Sequence, residues 1–177
     1  MTSFQERILR AARLDLQLYE EVEADQGALG QAMGIVLLSS AAAGLGSLGS
    51  GGMGAILIGA IGALIGWYLW AYLTYFIGTK FFPEPQTQAN IGDLLRTIGF
   101  SSSPGLIRIL GVIPGLRGIV FFIASIWMLV AMVIAVRQAL DYTSTLRAVG
   151  VCLIGWIIQL LIFVILFSLF GGASKGL

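Results

Sequence analysis

Charged residues in this chain come in groups, and the gaps between the groups are apolar. No charge occurs from Gln26 through Thr79, from Gly118 through Val136, or from Ala148 through Ser174. A transmembrane helix takes about 20 residues, so the first gap predicts a hairpin of two spans and the others one span each. Gly49-Ser50-Gly51-Gly52 supplies the turn of the hairpin. The first span, roughly Leu29 to Leu48, is mostly Ala, Gly and Ser, with Gln31 near its start. Such a helix gains little from lipid and is expected to pack closely on its neighbours. Gly30 and Gly34 form a GxxxG there, and Ala55, Gly59, Gly62, Ala63 and Gly66 continue a small-residue stripe along the second span. A tight pair within the chain and a contact between copies both fit that pattern. The second span closes in Trp67, Tyr68, Trp70, Tyr72, Tyr75 and Phe76, the make-up of an interfacial aromatic belt; an aromatic-lined ligand site is the alternative.

Two segments carry polar patterns. Residues 1–26 predict an N-terminal amphipathic helix starting near Ser3, with Ser3-Phe4-Gln5-Glu6 matching a capping box. Ile8, Leu9, Ala12, Leu16 and Tyr19 fall on one face; Arg7, Arg10 and Arg13 precede Glu20, Glu21, Glu23 and Asp25. It either lies on the cytoplasmic membrane surface with its arginines toward anionic lipid, or packs on the chain's own loops. From Lys80 to Arg117 the reading branches. Pro83-Glu84-Pro85 makes an extended loop, and Asn90 to Phe100 is helical, with Asp93 and Arg96 one turn apart. Ser101-Ser102-Ser103-Pro104 interrupts that helix, and Ser103 with Pro104 suits an N-cap and first position restarting a helix through Leu110. Either a broken helix crosses the bilayer here, giving five spans, or two short helices dip in and return, giving four. The positive-inside count is satisfied by both.

Composition narrows the class. Of 177 residues 58% are apolar before Gly is counted and 11% are charged, against about 25% charged in ordinary soluble domains; the chain has too little charge to coat a soluble surface. It reads as an all-α polytopic membrane bundle, five spans favoured over four. With no histidine there is no imidazole base or ligand, and one cysteine, Cys152, excludes disulfides and cysteine-cluster metal sites. A net charge of +1 gives no footprint for nucleic acid. No removable signal peptide is visible, so the first span is expected to act as its own insertion signal. No cofactor and no metal are expected.

The stretch Leu95-Arg96-Thr97-Ile98-Gly99-Phe100-Ser101-Ser102-Ser103-Pro104-Gly105-Leu106 resembles the third-span signature of the YIP family, polytopic membrane proteins named for Ypt/Rab-interacting members. Trp127, then Ala135-Val136-Arg137-Gln138-Ala139-Leu140-Asp141 and Arg147-Ala148, fit its bacterial branch. The resemblance implies five spans over residues 27–172 followed by a short tail, 173–177, with a cytoplasmic N-terminus in a bacterial inner membrane and no enzymatic activity. The Asp-Leu-Tyr-Gly-Pro motif of the eukaryotic members is missing, since Asp15-Leu16 continues as Gln17-Leu18-Tyr19. That argues against a GTPase partner.

Candidate chemistry is sparse. A serine-type mechanism lacks its base, an aspartyl mechanism has only Asp93 and Asp141 near helix ends beside arginines, and there is no phosphate-binding loop. Arg108, four residues past Pro104, either snorkels to headgroups or joins the Ser101–Pro104 break, whose exposed N–H groups suit an anion or an anionic lipid head. Gln159 sits mid-span and is expected to hydrogen-bond another helix. Arg137 with Asp141, at i and i+4, and Arg147 flank the last turn, as an interfacial ion pair or a docking site for a partner. Three functions fit: a non-enzymatic organiser or adaptor that packs against lipid, membrane partners and copies of itself; an oligomeric channel or transporter for a small solute or anion; and an accessory subunit of a larger membrane complex.

Overall fold

The computed structural model describes residues 3–47 and 52–171. Helix α1 (Phe4–Ala12) starts at Ser3, whose hydroxyl accepts the Glu6 N–H at 3.2 Å. It does not run on through Tyr19 as expected. Leu14 adopts φ 62° and turns the chain, and α2 (Leu16–Ala24) starts afresh at Asp15, whose carboxylate accepts the Gln17 N–H at 3.0 Å. An aspartate is a better N-cap than helix interior, and Arg10 grips its other oxygen at 2.8 Å. The break dissolves the expected common face: Leu9 and Leu16 are exposed while Tyr19 is fully buried.

Helix α3 (Ala28–Gly46) and α4 (Gly52–Lys80) fill the first charge gap. Gly49, Ser50 and Gly51 of the hairpin turn, like residues 173–177, lie outside the described residues. Helix α5 (Ile91–Phe100) opens with a reciprocal capping box: Asn90 Oδ1 accepts the Gly92 N–H at 2.8 Å and the Asp93 N–H at 3.2 Å, and Asp93 accepts the Asn90 N–H at 2.8 Å. After Ser101 and Ser102 the chain becomes a 3-10 helix, Ser103–Val112. Ser103 is its first residue rather than its N-cap, and its hydroxyl donates to the Phe100 carbonyl at 2.7 Å, closing α5 instead. A ten-residue 3-10 run is long for a conformation normally used in single turns. Helices α6 (Arg117–Ala139) and α7 (Thr145–Gly171) fill the last two gaps. Among the described residues four helices, α3, α4, α6 and α7, are long and apolar enough to cross a membrane.

Glycines fix the course of the segment between α4 and α6. A methyl group at Gly99 would strike Ala32, one at Gly105 the Ser39 hydroxyl, and one at Gly46 the Arg108 carbonyl; Gly111 also abuts the Gly46 carbonyl. Gly99, Gly105 and Gly111 thus meet the second turn, the middle and the last turn of α3 in order, so the end of α5 and the 3-10 helix travel alongside α3. Their ten residues each correspond to about 15 Å and about 20 Å of rise.

Helix α5 is the centre of the bundle, buried from Asp93 through Phe100 and packed on α2, α3, α4 and α6. Two core clusters meet there. One joins Trp70, Leu94, Ile98, Val136, Leu140 and Val151; the other joins Ala11, Leu18, Tyr19, Val22, Ala32, Ile35 and Phe100. Beyond Ser102 the 3-10 helix stays between α3 and α6 but no longer packs on α4. Helix α7 leans on α4 and α6, with Gly155 admitting the Trp70 indole and the Trp70 and Trp156 rings 6.3 Å apart.

Candidate functional site

The polar groups gather at the end where α3 begins. Arg96 donates from Nε to the Val22 carbonyl at 2.9 Å and the Glu23 carbonyl at 3.1 Å, and from Nη2 to Asp93 at 2.7 Å and again to the Glu23 carbonyl. These carbonyls belong to the last turn of α2, which has no helical donors of its own, and a cation there also meets the negative end of the helix dipole. Arg7 is buried and binds Glu21, Asp25 and Gln31; Arg10 binds Asp15 and Glu21. Of the two readings of this segment, arginines toward anionic lipid or packing on the chain's own loops, the contacts of Arg7 and Arg10 fit the second, since their partners are the chain's own acids. Hydrogen bonds from Arg10 and Arg7 hold Asp15 and Asp25 below the ordinary carboxylate range.

The α6–α7 turn is tied to the loop after α4 in the same manner. Tyr142 donates its hydroxyl to the Gly78 carbonyl at 3.0 Å and the Phe82 carbonyl at 2.7 Å. Glu84 accepts the Thr143 N–H at 3.0 Å and hydroxyl at 2.8 Å, which pull its carboxyl down, and Arg147 Nε lies 3.3 Å away. Arg137 does not pair with Asp141. It donates to the Tyr142 carbonyl at 3.2 Å and Thr145 hydroxyl at 3.2 Å, because Asp141 turns away at φ 53°. Asp141 instead accepts the Gln88 N–H at 3.4 Å. With Glu20, Glu23, Asp93 and Arg96 it lines an open cleft of about 640 Å³. Burial, then the nearby Asp141 and Asp93, push the Glu23 carboxyl up to about 7. Among the described residues no group of three acids converges as a metal site.

Toward the far end of α3 the arrangement changes. Where the chain leaves α4 behind at Ser102, a cavity of about 360 Å³ opens between α3, α4, the 3-10 helix and α6. Ser39, Ser40, Ser101 and Ser102 give its polar wall, Val36, Ala43, Ala63, Met128 and Met132 its apolar one, and Trp67, Trp70 and Arg108 complete it. Trp67 Nε1 donates to the Leu95 carbonyl at 3.0 Å, and Ser101 to the Ile98 carbonyl at 2.7 Å. Arg108 stacks over Phe121 at 5.6 Å and donates from Nη2 to Ser125 at 3.3 Å. Its Nε, and Nε1 of Trp70, are buried with no hydrogen-bond partner among the described residues. A buried N–H left without an acceptor costs about 1–3 kcal/mol, more when charged.

The structure therefore brings Ser101, Ser102 and Arg108 to one cavity, while Ser103 and Pro104 are buried in the turn beside it. Arg96, Arg137, Asp141 and Arg147 are gathered at the opposite end. Gln159 is half-buried on α7 with no hydrogen-bond partner among the described residues, not the helix-bridging amide expected. A methyl at Gly30 would meet nothing within 4 Å and one at Gly34 only the Phe4 ring at 3.7 Å, so this GxxxG makes no close helix contact within the chain. Trp70 was read as belt; it points into the core, with Tyr68, Tyr72 and Phe76 left exposed outside. Ser39 and Ser40 were passed over as part of a small-residue helix. Their adjacency in an otherwise apolar span was the available signal.

Comparison with curated proteins finds no match, nor does comparison with solved structures. The family model described as the Yip1 domain matches residues 18–167, most of α2 through most of α7. The protein is a multi-pass helical membrane protein, and the chain belongs to the Yip1 domain family.

Proposed function

We propose that this protein is a non-enzymatic membrane organiser or adaptor of the YIP type, acting by packing against partner membrane proteins, copies of itself and lipid. The carrying observation is the outer face of α4. Ile58, Ile61, Ile65 and Leu69 are 74%, 60%, 56% and 60% exposed, and a methyl group at the exposed Gly62 would meet nothing within 4 Å. That face combines apolar ridges with a glycine groove, the surface on which membrane helices approach closely, and the described residues of the chain leave it uncovered. The lack of histidine and the pairing of Asp93 with Arg96 at 2.7 Å support a non-enzymatic role.

This reading has five crossings, with the N-terminus in the cytoplasm of a bacterial inner membrane. The course of α5 and the 3-10 helix beside α3 from Ala32 to Gly46 supports the fifth crossing, since α3 is itself long and apolar enough to cross a membrane. Arg7, Arg10, Lys80, Arg96, Arg137 and Arg147 belong to the end where α3 begins and Arg108 and Arg117 to the other, which supports a cytoplasmic N-terminus. Light scattering of the protein in mild detergent tests the organiser reading. The expected result is a defined assembly that Gly62→Leu dissociates at least tenfold; a strictly monomeric protein that recovers no partner contradicts it. The cavity favours a second reading, transport of a small anion, which predicts proteoliposome flux that Arg108→Ala abolishes.

A further inference from the structure

The cavity beyond the helix break has a cation and no counter-charge. All nine acidic residues lie at positions 6–25, 84–93 and 141, none of them lines the cavity, and among the described residues no carboxylate pairs with Arg108. The two buried side-chain N–H groups without a partner among the described residues both belong to residues lining this cavity. They stand at different depths. Arg108 lies at the last turn of α3, its carbonyl against Gly46, whereas Trp70 belongs to the core cluster with Leu94 and Ile98. An occupant that satisfies both brings negative charge to the outer position and a neutral acceptor to the inner one.

We propose that the cavity binds a phosphate-class oxyanion at Arg108, supplied as the headgroup phosphodiester of an anionic glycerolipid or as free phosphate. The spacing of the two donors favours the lipid. A phosphodiester at Arg108 places the ester carbonyls deeper, within reach of a donor such as Trp70 Nε1. Met128 and Met132 give that depth adaptable apolar walls. Water alone would satisfy the N–H groups but not the charge.

The test uses the full-length protein in dodecyl maltoside and phosphate-free buffer. One arm counts dioctanoyl phosphatidylglycerol retained in native mass spectra; the other follows thermal unfolding against inorganic phosphate. Expected is one retained lipid per chain, weakened at least tenfold by Arg108→Gln and by Ala63→Leu, which fills the cavity without touching the arginine. Arg108→Lys should bind between the two, and Arg117→Gln, whose guanidinium lies 6.0 Å from the same Phe121 ring, should bind as the parent does. Stabilisation by phosphate with the same dependence on both substitutions, and no lipid retained, assigns the site to free phosphate. Parent protein that binds neither, or binding unchanged by both Arg108→Gln and Ala63→Leu, overturns the proposal.

Discussion

The two ends of this bundle bury arginine under opposite regimes. Arg96, at the end where α3 begins, reaches two carbonyls of α2 and the carboxylate of Asp93. Around it Arg7 and Arg10 are met by the acids of α2 and its flanks, and Glu84 binds Thr143 and Arg147. Toward the other end Arg108 has a serine and an aromatic face, and its Nε is buried without a partner among the described residues. A satisfied polar network locks the elements it joins, while an unpaired buried polar group is costly. The same chain thus builds a closed, self-neutralised clamp at one end and an open, charged cavity at the other.

The largest expected effect breaks the clamp. Arg96→Leu strands Asp93 and the α2 carbonyls among buried groups, and should cost about 3–5 kcal/mol, as removal of one partner from a buried pair does. Thermal unfolding in detergent checks it. Next, Gly46→Ala drives a methyl into the Arg108 carbonyl, and the clash should cost about 1–3 kcal/mol by overpacking in the same assay. Tyr142→Phe removes the hydroxyl shared by Gly78 and Phe82 and should cost about 1 kcal/mol. Arg108→Gln sharpens the contrast by sign: without a bound anion it should leave stability unchanged or raise it, since it removes an unneutralised charge.

The smallest effect is a pH dependence. The Glu23 carboxyl is raised to about 7 in the fold from an ordinary value of 4.5. Between those values the folded state binds the proton more tightly than the unfolded chain, so this group's contribution to stability is greatest below about 4.5. It declines as pH rises toward 7 and is flat above. Glu23→Gln should flatten that stretch of the unfolding-versus-pH curve; an unaltered slope would place its origin elsewhere.

Much of the architecture was legible because it follows from burial alone. Four apolar helices coincide with gaps between charges, and α5 was read from Asn90 to Phe100 with Asp93 and Arg96 one turn apart. The Ser101–Pro104 interruption was visible too, though Ser103 closes the preceding helix instead of opening the next. What escaped depends on helix rotation, which no local pattern encodes. Gly30 and Gly34 have the motif but meet at most the Phe4 ring among the described residues, whereas Gly46, Gly99 and Gly105 have no motif and carry the α3 seam. Trp70 and Tyr72 are two residues apart, yet one enters the core and the other faces outward. The partners of Arg7 and Arg10 were hidden because the break at Leu14 folds α2 back on α1. Half of the cavity was foreseen in Arg108 and the serines; the unpartnered indole was not.

The most direct test of the account asks on which side of the membrane the two ends of the α5–3-10 segment emerge. In a Cys152→Ala background, Gln88→Cys and Leu116→Cys, both exposed, would be labelled with a membrane-impermeant maleimide in intact cells and in inverted vesicles. The account predicts that Gln88→Cys reacts only from the cytoplasmic side and Leu116→Cys only from the outside. Labelling of both from one side would mean that the segment returns without crossing, and would contradict the five-crossing arrangement.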